Sequence, residues 1–98
     1  MVIWIAQFVA FLDQDDPHAA HEIFEDLWRA LRESDHPDTL LVKGFVNGAV
    51  ALELAKRGRL EACHRVWKTY LKYRGRIVDS QSDFSVAARR LEELYAKL

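Results

Sequence analysis

Apolar residues recur every three or four positions along most of this chain, the spacing of a helix face rather than a strand. Ala20, Ile23, Phe24, Leu27, Trp28 and Leu31 fall at i, i+3, i+4, i+7, i+8 and i+11 and predict an amphipathic helix over about 17–33. Before it, residues 2–12 are apolar almost throughout and predict a buried first helix, closed by the turn residues 13–16. Pro17 suits the first turn of helix two, where its missing N–H costs nothing. Residues 39–57 (Leu40, Leu41, Val42, Phe45, Val46, Val50, Leu52 and Leu54) are apolar on nearly every side. A helix with so little polar surface belongs at the centre of a bundle. Gly44, Gly48, Ala51 and Ala55 form a narrow small-residue stripe on it, where a neighbouring helix is expected to come close.

Two more helices complete the pattern. Residues 59–78 are expected to bury Leu60, Cys63, Trp67, Tyr70 and Leu71, with Gly75 weakening the last turn. Residues 83–97 are expected to bury Phe84, Ala87, Ala88, Leu91, Leu94 and Tyr95. Asp38 is expected to cap helix three, Gly58 to end it in the left-handed conformation, and Ser82 or Asp83 to cap helix five. No strand pair is foreseen. The fold class is therefore all-α: a compact bundle of four to five helices around a central apolar helix, forming one domain over 1–98.

Composition narrows the setting. One cysteine, Cys63, allows no internal disulfide, so nothing demands an oxidising compartment. The apolar opening has no preceding Lys or Arg, as a secretory signal would, and falls short of the ~20 apolar residues of a membrane span. A cytoplasmic location without membrane association is expected. The net charge of −1 points to no partner, but its distribution is uneven. Residues 13–38 carry nine acids against Arg29 and Arg32, net −7, and residues 56–76 carry eight bases against Glu61, net +7. The two segments are candidates to pair within the fold or between copies.

The sharpest local feature is His21-Glu22-Ile23-Phe24-Glu25-Asp26-Leu27-Trp28. His21 and Glu25 stack one helical turn apart, flanking the apolar stripe beside Trp28, while Glu22 points more toward solvent. Together with Lys43-Gly44-Phe45-Val46-Asn47 and Arg57-Gly58-Arg59, this His-Glu-x-x-Glu-x-x-Trp segment resembles the domain of unknown function 309 family of small bacterial and archaeal proteins. The resemblance covers roughly residues 8–73. It departs from the family pattern at Asn47, where glutamine is common, at Glu53, where histidine is common, and at Arg59, where asparagine is common. It implies a small helical bundle and no established activity.

Three chemistries bear on these residues. The first is metal. His-Glu-x-x-Glu is not the His-Glu-x-x-His zinc signature, because Glu25 replaces the second histidine. A bundle does hold metals with carboxylates and Glu-x-x-His pairs from facing helices. Glu61-Ala-Cys-His64 has that spacing and Glu53 lies on a third helix, so His21, Glu25, Glu53, Glu61 and His64 form a candidate ligand set for a divalent metal. The competing reading has His21 and Glu25 bonded to each other, with Arg or Trp N–H groups from neighbouring helices completing the network. No other cofactor is expected. The second chemistry is anion or nucleic-acid binding through Arg65, Lys68, Lys72 and Arg76, which share one face of helix four beside Tyr73. The near-neutral charge of the whole chain argues against nucleic acid.

The third chemistry, catalysis, is disfavoured. Cys63 sits on the apolar stripe, and His64 lies about 100° round the helix from it. Ser34, Ser80, Ser82 and Ser85 fall in joints or caps, and there is no Gly-rich phosphate loop. The leading expectation is a non-catalytic interaction or structural module. Trp4, Trp28, Trp67 and the apolar first helix would supply surface for another copy or a protein partner.

Overall fold

The computed structural model describes residues 1–79 and 81–98, so Ser80 lies outside the described residues. It contains five α-helices: α1 Val2–Asp13, α2 Pro17–Glu33, α3 Thr39–Lys56, α4 Leu60–Arg74 and α5 Asp83–Ala96. Among the described residues there is no strand, and no helix is long and apolar enough to cross a membrane. α3 is the hub, lying against α2 on one side and α4 on another, with α5 also touching it; α1 closes the bundle against α2 and α5.

Phe45 shows why α3 is central. Its ring meets Phe8 of α1, Phe24 of α2, Tyr70 of α4 and Phe84 of α5, with centroids 5.6–5.9 Å apart. Phe8 and Phe24 also stack at 4.2 Å. Phe8, Phe24, Phe45 and Tyr70 are fully buried. Each such ring contributes about 1.5–3 kcal/mol of apolar burial, before any aromatic-pair term. The small-residue stripe performs as expected at two points. A Cβ on Gly44 would lie 2.7 Å from the Cβ of Tyr73, and one on Gly48 would overlap the buried Leu91 side chain. α4 and α5 therefore approach α3 more closely than larger residues would allow.

The helix ends reveal a repeated device. Gly58 adopts φ +75° after α3, as expected, but Asp15 and Asp35 take the same left-handed conformation after α1 and α2. In each case the following N–H reaches back across the last turn: Asp16 N–H to Phe11 O, His36 N–H to Leu31 O and Arg59 N–H to Leu54 O, all at 2.9 Å. Three helices thus close with one hydrogen-bonded stop, and aspartate replaces glycine in two of them. Asp16 caps α2 by accepting from Ala19 N–H, and Ser82 caps α5 by accepting from Ser85 N–H. Asp38 stands at the N-cap of α3 without making the expected side-chain cap bond. His36 organises that joint instead: its carbonyl accepts from the Thr39 hydroxyl and its Nδ1 accepts from Asp38 N–H.

Three expectations about α4 are corrected. The helix ends at Arg74, not near 78, because Gly75 follows as its C-cap and the chain leaves the helix there. Leu60 and Leu71 are half-exposed rather than buried, since both lie round the flank from the Cys63–Trp67–Tyr70 line that faces α3. Leu40 on α3 is also exposed. The acidic and basic segments meet at Lys56 and Asp15, but the basic face of α4 does not pair with α2, because α3 stands between them.

Candidate functional site

The polar face between α2 and α3 gathers the most chemistry. α2 presents His18, His21, Glu22, Glu25 and Arg29 at helical spacing, and α3 contributes Glu53 one turn before its end. The Glu53 side chain is only 13 % exposed, so its charge requires partners. It has two. His18 Nδ1 bonds Glu53 Oε1, and His21 Nδ1 points at Glu53 Oε2 from 3.5 Å. On their other edges, His18 Nε2 meets Glu22 at 3.0 Å and His21 Nε2 meets Glu25 at 2.7 Å. Arg29 then holds the second oxygen of Glu25 at 2.7 Å. The two imidazole rings stand edge to face, 5.9 Å apart.

These contacts constrain the protons. A carboxylate only accepts, so His21 Nε2 carries the hydrogen given to Glu25. Nδ1 of the same ring is shielded from solvent and has no hydrogen-bond partner. A lone pair there would face the Glu53 oxygen at 3.5 Å, an arrangement that a cation between them, a proton or a metal ion, would relieve. His18 faces carboxylates at both nitrogens; the bond to Glu53, reinforced by its charge, raises the His18 pKa above its ordinary value. One ligand atom each from His18, His21 and Glu53 lies within 4.8 Å of the others. Ligand atoms around a tetrahedral zinc stand about 3.3 Å apart, so modest side-chain rotation would close the set. Glu25 orients His21 from outside, the arrangement by which carboxylates fix the tautomer of metal-binding histidines.

The structure brings together only some of the residues grouped from the sequence. His21 and Glu53 come together, and Glu25 supports His21 instead of joining the cluster. The predicted His21–Glu25 bond is present, and Arg29 of the same helix, not a neighbouring one, completes it. Glu61 and His64 stand elsewhere. Glu61 is exposed in the first turn of α4, and His64 Nδ1 bonds the Tyr95 hydroxyl at 2.6 Å. That tyrosine stacks on Trp67 at 3.9 Å, so His64 belongs to the α4–α5 contact. Helical spacing had aligned Glu61 with His64, but not that pair with α2. His18 was missed. Its signal was the His-x-x-His spacing in the first turn of α2, which places both rings on one face.

Trp28 does not touch the histidines. Its ring lies between two cations, with Arg32 at 4.5 Å and Lys43 at 4.4 Å from the ring centroid. This explains Trp28 and Lys43 as packing partners across α2 and α3. Cys63 is buried, and that burial raises its pKa, as expected for an unreactive core thiol. Arg65, Lys68, Lys72 and Arg76 are all exposed, and none forms an ion pair among the described residues. Lys72 rests over the Tyr73 ring at 5.3 Å.

No curated protein and no solved structure matches the chain. The model of the family described as a domain of unknown function (DUF309) matches residues 5–66, which include α2, α3 and the whole His18–His21–Glu53 cluster. A match over more than half of its length places this chain in that family.

Proposed function

We propose that this protein binds a divalent transition metal between α2 and α3, through His18, His21 and one oxygen of Glu53. The observation that carries the reading is the solvent-shielded, unpartnered His21 Nδ1 aimed at a carboxylate beside a second histidine. Two imidazoles and one carboxylate suit zinc and its first-row neighbours better than calcium or magnesium, which favour oxygen. Titration calorimetry with Zn(II) or Co(II) tests it. One ion per chain is expected. His18→Ala, His21→Ala and Glu53→Gln should each weaken binding at least tenfold, and His64→Ala should leave it unchanged. The absence of binding, or binding indifferent to all three substitutions, overturns the reading.

A second reading is favoured by a separate observation. Val2 is 64 % exposed, Ile3 73 % and Val86 45 %. They adjoin an apolar groove of about 290 Å³ lined by Val2, Ile5, Ala6, Val9, Asp83 and Val86. The occupant that fits is a second copy of the chain. A two-fold contact sets a patch against itself, and helix positions 2–12, which supply Val2, Ile5, Ala6 and Val9 of this lining, carry no charge to repel. Sedimentation of wild type and Ile3→Glu tests this. A dimer that dissociates in the variant supports it, and a wild-type monomer at tens of micromolar overturns it.

A further inference from the structure

The His18–His21–Glu53 cluster opens onto a pocket of about 180 Å³ lined by Asp16, Pro17, His18, Glu53, Lys56 and Arg57. Two of these residues, His18 and Glu53, also belong to the cluster. The first turn of α2 and the last turn of α3 form the walls. His21 lies deeper, with Nδ1 closed to solvent, so the accessible side of the cluster is the side shared with the pocket. Three protein ligands leave a tetrahedral ion one open position.

Charges around the pocket are unequally used. Asp16 caps α2 through Ala19 N–H. Lys56 is held by Asp15, with Nζ donating to its carbonyl at 2.6 Å and standing 3.1 Å from its carboxylate. Arg57 differs. It follows Glu53 by four residues, a spacing that normally pairs a glutamate with an arginine. Both oxygens of Glu53 are instead turned to the histidines. Arg57 forms no ion pair among the described residues, and its side chain lines the pocket.

From this geometry we infer that the pocket takes a small oxyanion, bound jointly by the metal and the Arg57 guanidinium. The inference rests on the metal reading above. A planar guanidinium offers paired N–H donors to a carboxylate or phosphate, and the ion supplies an acceptor for a further oxygen. The chemistry needed is shared by phosphate and carboxylate groups, and the pocket admits a group of only a few non-hydrogen atoms. Because both partners hold one ligand, the anion and the metal should strengthen each other by the same factor.

The test uses the cobalt-loaded chain, titrated separately with submillimolar inorganic phosphate and with acetate, and read by the visible absorption of Co(II). A saturable spectral change is expected, with anion affinity at least tenfold above that of the metal-free protein. Arg57→Gln should weaken the anion tenfold and leave cobalt affinity without anion within twofold. A response to phosphate alone assigns a phosphoryl ligand, to acetate alone a carboxylate ligand, and to both a general oxyanion pocket. Cobalt bound through His18, His21 and Glu53 with a spectrum indifferent to both anions overturns the inference, as does an Arg57→Gln variant that binds them like wild type. Failure to bind cobalt at all identifies the metal reading as the error, and the inference falls with it.

Discussion

The α4–α5 contact and the α2–α3 face draw on the same kinds of polar side chain and end in opposite states. In the first, Glu92 Oε2 receives the Tyr70 hydroxyl at 2.6 Å and Arg74 Nε at 2.8 Å. Nearby, His64 bonds Tyr95, which stacks on Trp67. The Ser85 hydroxyl donates to Asp79 O, completing a joint in which these donors have acceptors. In the second, His21 Nδ1 faces Glu53 unpartnered and His18 is crowded by two carboxylates. A satisfied network holds helices together, whereas one that leaves a shielded ring nitrogen unpartnered beside a carboxylate is a candidate place for a cation to enter. The difference separates scaffold from candidate site where residue type alone does not.

Four measurements sharpen or break that contrast, beginning with the largest effect. Phe45→Ala removes the ring that joins both regions and should cost about 3–5 kcal/mol in urea unfolding. A loss below about 1 kcal/mol would mean that the two regions do not share a core. Glu92→Ala leaves the buried Tyr70 hydroxyl without its acceptor and should cost about 1–3 kcal/mol, toward the lower end because Glu92 and Arg74 are partly exposed. A variant as stable as wild type would show that the α4–α5 network is not structural.

Tyr70→Phe is milder, at about 1 kcal/mol near neutral pH, but it carries a pH signature. Burial, aided by the bond to Glu92, raises the Tyr70 pKa above the ordinary tyrosine value. The unfolded chain therefore releases this proton first, at about pH 10. The contribution of Tyr70 is complete below that pH and is lost as pH rises past it. Unfolding free energies measured from pH 8 to 11 should fall less steeply in Tyr70→Phe than in wild type; parallel curves would exclude the assignment.

The smallest change in the metal-free protein is expected for His21→Ala, under about 1 kcal/mol, because it removes a partly buried i,i+4 pair at the edge of the core. Its effect should emerge with zinc. At a hundredfold excess over its dissociation constant, one site-bound ion stabilises the folded state by about 2.7 kcal/mol, and the variant should lose that gain. A large metal-free loss with an unchanged zinc response would reverse the contrast, making α2–α3 the scaffold.

Much of this molecule was legible in its sequence. Helical periodicity located all five helices, since a face that must leave water repeats with the turn of the helix it occupies. The apolar character of 39–57 on nearly every side marked α3 as central, and its glycines marked the close approaches. His21 and Glu25 were readable as partners because four residues of helix make one turn. The left-handed stops at Asp15 and Asp35 were not readable, since aspartate there resembles any polar joint residue.

What only the tertiary structure decided is which helices face one another. Periodicity states which side of a helix is buried but not against what. Helical spacing thus aligned Glu61 with His64 and left open whether they meet His21. The packing of α2 on α3 brings Glu53 to His18 and His21, and that of α4 against α5 takes His64 to Tyr95. The same packing places α3 between α2 and α4, so apart from the Lys56–Asp15 pair the charges that looked complementary along the chain do not meet in the fold. Local interactions within a few residues determined the helices, and contacts from His18 and His21 to Glu53, far away along the chain, assembled the candidate site.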